Sequence, residues 1–234
     1  MTNMQGRLEF FDGLWGRLNA SLNILILRNY EELPYSLGND IDILISQSDI
    51  KRAIEICEEF SINSDFKIHH IEQPNHVLSS ILFVSKSKNN LSKPLKIDFF
   101  TQMTKGWIIY ADTRYILENK TVFKSYKVPN LNHEAYLLLM KELFMYKRVR
   151  ERYFSKFNNK YKNIDLDEFD KVSSNYISKK TILKIKPFLK TIDLLSLMPT
   201  PKLNSFFRPL RFFSWLYYSM RYRFSNLCKS DEKK

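Results

Sequence analysis

Glycine, cysteine and long apolar runs are scarce in this chain of 234 residues. Its 5 glycines argue against a loop-rich, all-β fold. Two cysteines, Cys57 and Cys228, are too few for a disulfide framework or a zinc knuckle, which favours a reduced, cytosolic protein. No stretch reaches about 18 uncharged apolar residues. The first residues lack the basic start and apolar stretch of a secretory signal. We therefore expect neither a membrane span nor a signal peptide.

The composition nevertheless supports a substantial core, because 44% of the residues are hydrophobic and 15% are aromatic. The net charge of +12 is unevenly distributed. Residues 1–127 contain 15 basic and 15 acidic residues, whereas residues 128–234 contain 22 and 10. This asymmetry predicts a neutral domain over 1–127 and a basic region over 128–234 that faces an anion: nucleic acid, a membrane surface or a phosphorylated substrate.

The hydrophobic periodicity predicts an α/β (α+β) domain with a small mixed sheet, followed by an all-α region. In the first part we expect a helix over 4–20, a strand over 21–28, a loop over 29–39, a strand over 40–45, a helix over 49–62 capped by Ser48, a strand beginning at Phe66, and a hairpin of 76–86 with 94–102. In the second part we expect helices over 132–153 (capped by Asn132), 166–178, 180–198 and 205–226.

Three aspartates lie in apolar strands, where a carboxylate is costly without a partner. Asp40 and Asp42 in "DIDILI" point to the same face because alternate residues of a strand share a face. Asp98 lies in "LKIDFFTQ", a second apolar strand. If the two strands are neighbours, the three carboxylates converge. Hard oxygen ligands of this kind predict a site for Mg²⁺ or Mn²⁺.

This pattern resembles the nucleotidyltransferase superfamily of DNA polymerase beta, poly(A) polymerase and the antitoxin-type enzymes. That family has a short strand, a Gly-Ser turn, about ten residues, an Asp-x-Asp pair between hydrophobic residues and a later lone Asp. Here "NILIL", "DIDILI" and Asp98 match it, and ten residues separate Asn29 from Asp40. The resemblance implies an NTP substrate, metal ligation by Asp40, Asp42 and Asp98, and help from Asp98 in deprotonating an acceptor hydroxyl. Residues 27–45 also resemble proteins found beside bacterial surface-polysaccharide genes.

One departure concerns the nucleotide loop, where Arg28-Asn29 replaces Gly-Ser. Arg28 is expected to clamp phosphates with its guanidinium, together with Asn29, and Gly38-Asn39 would supply a flexible element. Lys141 corresponds to a basic residue that family members place near the phosphates; the alternative is a solvated basic helix face. The departure also leaves open that the nucleotide sits differently or does not bind.

Other functions remain compatible with the sequence. A non-catalytic scaffold at a membrane would retain the fold without the nucleotide. An RNA-modifying nucleotidyltransferase would use the basic half. A nucleotide-sugar glycosyltransferase also uses Asp-x-Asp, but only 39 residues precede Asp40, fewer than its nucleotide-binding half normally needs. His69 and His70 point to opposite strand faces, so they are not expected to share a metal.

The segment 205–226 is basic and aromatic, with one apolar stripe at helical spacing. Such a helix can lie on an anionic membrane, dock on its own domain, or bind nucleic acid; nucleic acid is the weakest of these expectations. A cytoplasmic protein, peripheral at the inner membrane face, is the localisation expected.

Overall fold

The computed structural model describes residues 3–177, except 34, 39, 88–92, 106–107, 147–148, 162 and 174–175. The helices predicted over 180–198 and 205–226 lie outside the described residues. The described chain forms two compact units. The first contains residues 3–101 and 122–128, and the second contains 102–121 and 129–177. Residues 102–121 thus belong with the second unit although they precede position 128.

The described elements follow one another in mixed α/β order. They are α1 (Asn3–Ser21), β1 (Ile24–Ile26), β2 (Asp40–Ile45), α2 (Ile50–Ile62), β3 (Phe66–Asn75), β4 (Leu78–Ser85), β5 (Leu95–Phe100), β6 (Met103–Lys105), β7 (Ile108–Ala111), α3 (Thr113–Glu118), β8 (Thr121–Phe123), β9 (Tyr126–Val128), α4 (Leu131–Tyr146) and α5 (Leu166–Ser173). No helix in this part of the chain has both the length and the apolar character that a membrane span requires.

The first unit is built on a five-stranded sheet with the order β1-β2-β5-β4-β3. β2 and β5 are parallel, and the other three pairings are antiparallel. The predicted mixed sheet and the β4–β5 pairing are therefore confirmed. β2 begins and ends where its alternating pattern predicts, and five of its six residues are buried.

Helices α1 and α2 pack together and contribute to the core of this unit. The predicted stripe of α1 is buried at Phe11, Leu14, Trp15 and Leu18. Phe10 adds contacts to the rings of Phe60, Phe66 and Phe83, with centroid separations of 5.4, 4.7 and 5.0 Å. The apolar side chains of both helices and of the sheet thus form one continuous cluster.

Gly13 allows the close approach of α1 to α2. A Cβ at this position would lie 2.9 Å from Cζ of Phe60. A Cβ at Gly16, about one turn further along α1, would meet no atom of a neighbouring element within 4 Å. The two glycines therefore differ in packing although both interrupt a helical sequence.

We predict that Gly16→Ala stabilises the protein by about 0.5–1 kcal/mol, because alanine favours a helix over glycine. Gly13→Ala should lose that gain, since the Phe60 ring must shift. Urea unfolding of both variants measures the difference. Equal stabilisation by the two substitutions would show that Phe60 does not restrict position 13.

Two predicted helix starts differ from the structure. Ser48 lies within a 3₁₀ turn (Gln47–Asp49), and α2 begins only at Ile50. The Ser48 hydroxyl donates to the Asp49 carboxylate at 3.0 Å and caps no helix. For α4, Asn130 provides the cap, because its side-chain oxygen accepts from the His133 amide at 2.9 Å. Asn132 instead accepts from the Asp165 amide at 2.8 Å.

Two predicted helices of the second unit are shorter than expected. α4 ends at Tyr146, not at residue 153, and α5 ends at Ser173, not at residue 178. Beyond α4, Arg150 returns to the fully buried Glu142, and its Nε and Nη2 donate to the carboxylate at 2.7 and 2.6 Å. A continuous helix would place Arg150 two turns from Glu142, so this ion pair requires the chain to turn.

His133 is fully buried in the second unit. Its Nε2 lies 3.5 Å from the Glu168 carboxylate, and its ring packs against Tyr115. Burial lowers the pKa of His133 from its usual value of 6.5, and Glu168 opposes the shift. The folded protein therefore disfavours the protonated imidazole.

Because the folded pKa of His133 is below the unfolded one, the unfolded chain takes up the extra proton. We predict that the free energy of unfolding falls as pH decreases below about 6.5, by at most about 1.4 kcal/mol per pH unit. His133→Phe should remove this part of the slope in urea unfolding at several pH values. His69→Phe, at an exposed position of β3, is the control. A slope unchanged in His133→Phe would contradict the assignment.

Candidate metal centre

The parallel pairing of β2 with β5 brings the three predicted carboxylates together. Asp42 lies directly opposite Asp98 in the strand register, and Asp40 is two residues earlier on the same face of β2. One carboxylate oxygen from each aspartate lies within 4.8 Å of the others. Among the described residues, these three aspartates form the group of at least three Asp, Glu, His or Cys side chains that lie closely enough to share a metal ion.

The three carboxylates differ in burial. Asp42 is 2% exposed and Asp98 is 7% exposed, whereas Asp40 is half-buried. Like charges this close and this poorly solvated repel one another. Their persistence in one cluster requires compensation by cations or hydrogen-bond donors.

Asp98 receives compensation from the neighbouring strand β4 and from its own strand β5. Ser80 faces it across β4 and donates its hydroxyl to Oδ1 at 2.6 Å. Lys96, two residues earlier on β5, places its Nζ 3.0 Å from Oδ1 and 3.1 Å from Oδ2. These contacts fix the orientation of the carboxylate. Neither Ser80 nor Lys96 was predicted from the sequence, because neither stands in a recognisable motif.

Asp42 receives its compensation from Arg28, whose Nε donates to Oδ2. The amide of Leu27 donates to the Asp42 carbonyl at 2.8 Å, and this bond brings the chain after β1 alongside β2. Burial raises the pKa of the Asp42 carboxyl, while the hydrogen bond and charge of Arg28 oppose that shift. Arg28 is thus an ion-pair partner of a predicted metal ligand.

Asn29 adopts the backbone conformation that favours glycine. Its φ of 60° lies in the left-handed region, which asparagine tolerates better than most residues. Asn29 is exposed and directly follows Arg28. The chain therefore turns sharply where the nucleotidyltransferase pattern has Gly-Ser, although neither residue stands at this position.

The loop between β1 and β2 is held from two sides. Arg7 of α1 donates its Nη2 to the carbonyl of Gly38 at 3.0 Å, and Lys124 donates to the carbonyl of Leu33. A Cβ at Gly38 would lie 3.6 Å from the Asp40 carbonyl, an ordinary contact. The predicted flexible role of Gly38 stays a prediction, and Asn39 lies outside the described residues.

Arg7 is a third residue near the cluster that was not predicted from the sequence. It is 6% exposed, and its Nε is buried without a hydrogen-bond partner. Burial lowers the pKa of its guanidinium. The spacing of Arg7 within α1 gave no signal, because its partner Gly38 is 31 residues away. Arg7 anchors the backbone two residues before Asp40.

The remaining predictions concern Lys141, the histidines of β3 and the segment 205–226. Lys141 is a half-buried residue of α4 in the second unit, and its nucleotide role stays a prediction. His69 is exposed on β3, and the Nε2 of His70 lies 3.6 Å from Oε2 of Glu72. The segment 205–226 lies outside the described residues, as do the membrane and nucleic-acid contacts predicted for it.

The donor set fits a hard divalent cation. Three carboxylates offer only oxygen, the ligand that Mg²⁺ and Mn²⁺ prefer. Asp42 also has a buried oxygen, Oδ1, with no hydrogen-bond partner. Such an atom is costly unless a cation or donor meets it. The cluster can therefore hold a metal ion through Asp40, Asp42 and Asp98.

Comparisons with known proteins assign no family to the chain. No protein-family model matches the chain, and no curated protein is significantly similar to it. A crystal structure from H. pylori, described as a proposed nucleotidyltransferase, matches with a TM-score of 0.42 and 11% identity over 92% of this chain and 91% of that one. The case for function consequently depends on the site.

We predict that Ser80→Ala destabilises the protein by about 1.5–3 kcal/mol, because the buried, charged carboxylate of Asp98 loses the hydrogen bond from the Ser80 hydroxyl. Urea unfolding measures the loss. Ser79→Ala is the matched control, since its side chain leaves β4 on the opposite face. Similar losses in the two variants would indicate that the bond to Asp98 contributes little.

Proposed function

We propose that the chain is a metal-dependent nucleotidyltransferase that moves a nucleotidyl group from an NTP to a hydroxyl or phosphate acceptor. The observation that carries the proposal is the cluster of Asp40, Asp42 and Asp98 on the parallel strands β2 and β5. Its geometry agrees with the resemblance of "DIDILI" and Asp98 to the nucleotidyltransferase pattern.

In this proposal, Asp40, Asp42 and Asp98 hold Mg²⁺ or Mn²⁺. The ion, when bound, neutralises charge on the phosphates and stabilises the charge that develops during transfer. Asp98 has a further role as acceptor for the proton of the attacking hydroxyl. Ser80 and Lys96 suit this role because they fix the carboxylate from the side of β4 and β5.

The nucleotide contacts belong to the same proposal. Arg28 and Asn29 stand at the turn after β1, and Gly38-Asn39 precede the metal pair. A guanidinium forms paired hydrogen bonds with phosphate oxygens, which a Gly-Ser turn would otherwise contact through amides and a hydroxyl. Lys141 is a further candidate phosphate ligand. An acceptor from surface-polysaccharide synthesis rests on the resemblance of residues 27–45 alone.

A second candidate function is a non-catalytic scaffold with the same fold. The observation that favours it is the Arg28–Asp42 ion pair, which already supplies a cation to the most buried carboxylate of the cluster. A scaffold of this kind needs neither metal nor nucleotide. The two candidates therefore differ in a property that binding measurements detect.

We predict that one of the four NTPs, together with Mg²⁺, raises the thermal midpoint by about 5–10 °C at about 100 times its Kd. Nucleotide bound to the folded state alone stabilises that state by mass action. Asp40→Asn should abolish the shift and slow turnover by at least about a hundredfold, since metal neutralisation supplies several kcal/mol.

Asp65→Asn is the control for this experiment, because Asp65 is an exposed carboxylate outside the cluster. Circular dichroism checks that both variants fold. A Mg²⁺-dependent shift that persists in Asp40→Asn would contradict the assigned ligands. No shift with any NTP would overturn the proposal and favour the scaffold.

A further inference from the structure

The Arg28–Asp42 ion pair and a bound metal ion compete for the same carboxylate. Asp42 is a ligand in the proposed function, and its Oδ2 already accepts from the Arg28 guanidinium. Its Oδ1 is buried without a partner. A cation that uses Asp42 must therefore approach a carboxylate whose charge Arg28 neutralises. This overlap raises the question of where the guanidinium goes when the metal enters.

Arg28 is placed so that it can leave without disturbing the sheet. It lies two residues beyond the end of β1, and 41% of its side chain is exposed. Asp42, in contrast, sits inside β2 between two paired strands and is 2% exposed. The exposed partner can rotate towards solvent, whereas the buried partner cannot move.

The charges of the cluster favour such an exchange. Without metal, the described residues place two cations, Arg28 and Lys96, at the three carboxylates, which leaves one net negative charge among these five groups. A divalent cation in place of Arg28 would leave the cluster neutral while Lys96 stays on Asp98. The displaced guanidinium would then be a cation beside the metal, where it suits an anion with several oxygens.

We propose that Arg28 is a displaceable counter-ion that couples metal binding to triphosphate binding. It holds Asp42 in the metal-free protein, gives up the carboxylate to the incoming ion, and then bonds to the phosphates that the ion carries. Free metal alone must break the Arg28–Asp42 ion pair, and Arg28 gains no phosphate contact in exchange. Metal with triphosphate regains the lost contact, so each ligand strengthens the binding of the other by the same factor.

This inference rests on the proposed function and adds to it a positioning role for Arg28. It also accounts for the replacement of the Gly-Ser pair. Asn29, with its φ of 60°, preserves the sharp turn, and the arginine before it supplies a charge that glycine lacks. The chain thereby gains a partner for Asp42 in the absence of ligands.

The test measures Mn²⁺ affinity by the electron paramagnetic resonance signal of free Mn²⁺, first alone and then with each NTP. Arg28→Met, which keeps the length and removes the charge, should bind Mn²⁺ alone more tightly, on the order of tenfold. The ratio of Mn²⁺ affinities with and without NTP should fall, although direct contact between the metal and the phosphates keeps it above one. Arg28→Lys, which keeps the charge, should restore part of this coupling.

Two further measurements separate displacement from a general charge effect. Arg52→Met removes a cation that pairs with Glu55 and Glu59 on α2, and it should leave both affinities unchanged. The NMR signal of the Arg28 Nε–H is assigned as the one that is present in the unmutated protein and absent from Arg28→Lys. Addition of Mg²⁺ should move that signal away from its carboxylate-bonded position, and MgNTP should move it again.

Unchanged or weaker Mn²⁺ binding in folded Arg28→Met would overturn the inference while leaving the proposed function intact. An Arg28 Nε–H signal that Mg²⁺ does not move would overturn it in the same way, even if Arg28→Met fails to fold. Wild-type protein that binds no Mn²⁺ with any NTP would overturn the proposed function itself, and the counter-ion role with it.

Discussion

The parallel register of β2 against β5 is the constraint on which the site depends. It places Asp42 opposite Asp98, while Ile41, Ile43 and Phe99 enter the core. A slip of one residue would move every side chain of β2 to the opposite face and bury the carboxylates in that core. Apolar burial therefore fixes the register, and the register holds the acidic groups together against their repulsion.

That repulsion explains the polar contacts around the cluster. Each buried carboxylate has a partner from an adjacent part of the chain: Arg28 beyond β1 for Asp42, and Ser80 and Lys96 for Asp98. The half-buried Asp40 lies at the start of β2, where solvent reduces the cost of its charge. The carboxylates of the cluster thus depend on nearby donors and cations, so a change in charge at one carboxylate alters the compensation that the others need.

The sequence predicted the features that depend on local periodicity. The bounds of β2 and the antiparallel pairing of β4 with β5 follow from short alternating or apolar runs, and the convergence of three aspartates follows from placing those strands together. Contacts between distant residues gave no such signal. Arg7 reaches Gly38 across 31 positions, and the return of Arg150 to Glu142 ends α4 before its apolar pattern does. The use of Asn130 and not Asn132 as the cap of α4 likewise depends on where Asp165 lies, because the backbone amide of Asp165 donates to the Asn132 side chain.

The turn at Arg28-Asn29 shows why a motif is better compared by physical role than by residue identity. A Gly-Ser turn provides a left-handed backbone, a hydroxyl and close access to amides. Asparagine supplies the backbone conformation here, and arginine replaces neutral donors with a positive charge. A charge acts on every anion nearby, including the carboxylates of the site itself. The substitution therefore changes the free site as well as the occupied one, and it ties the state of the metal ligands to the residue that faces the nucleotide.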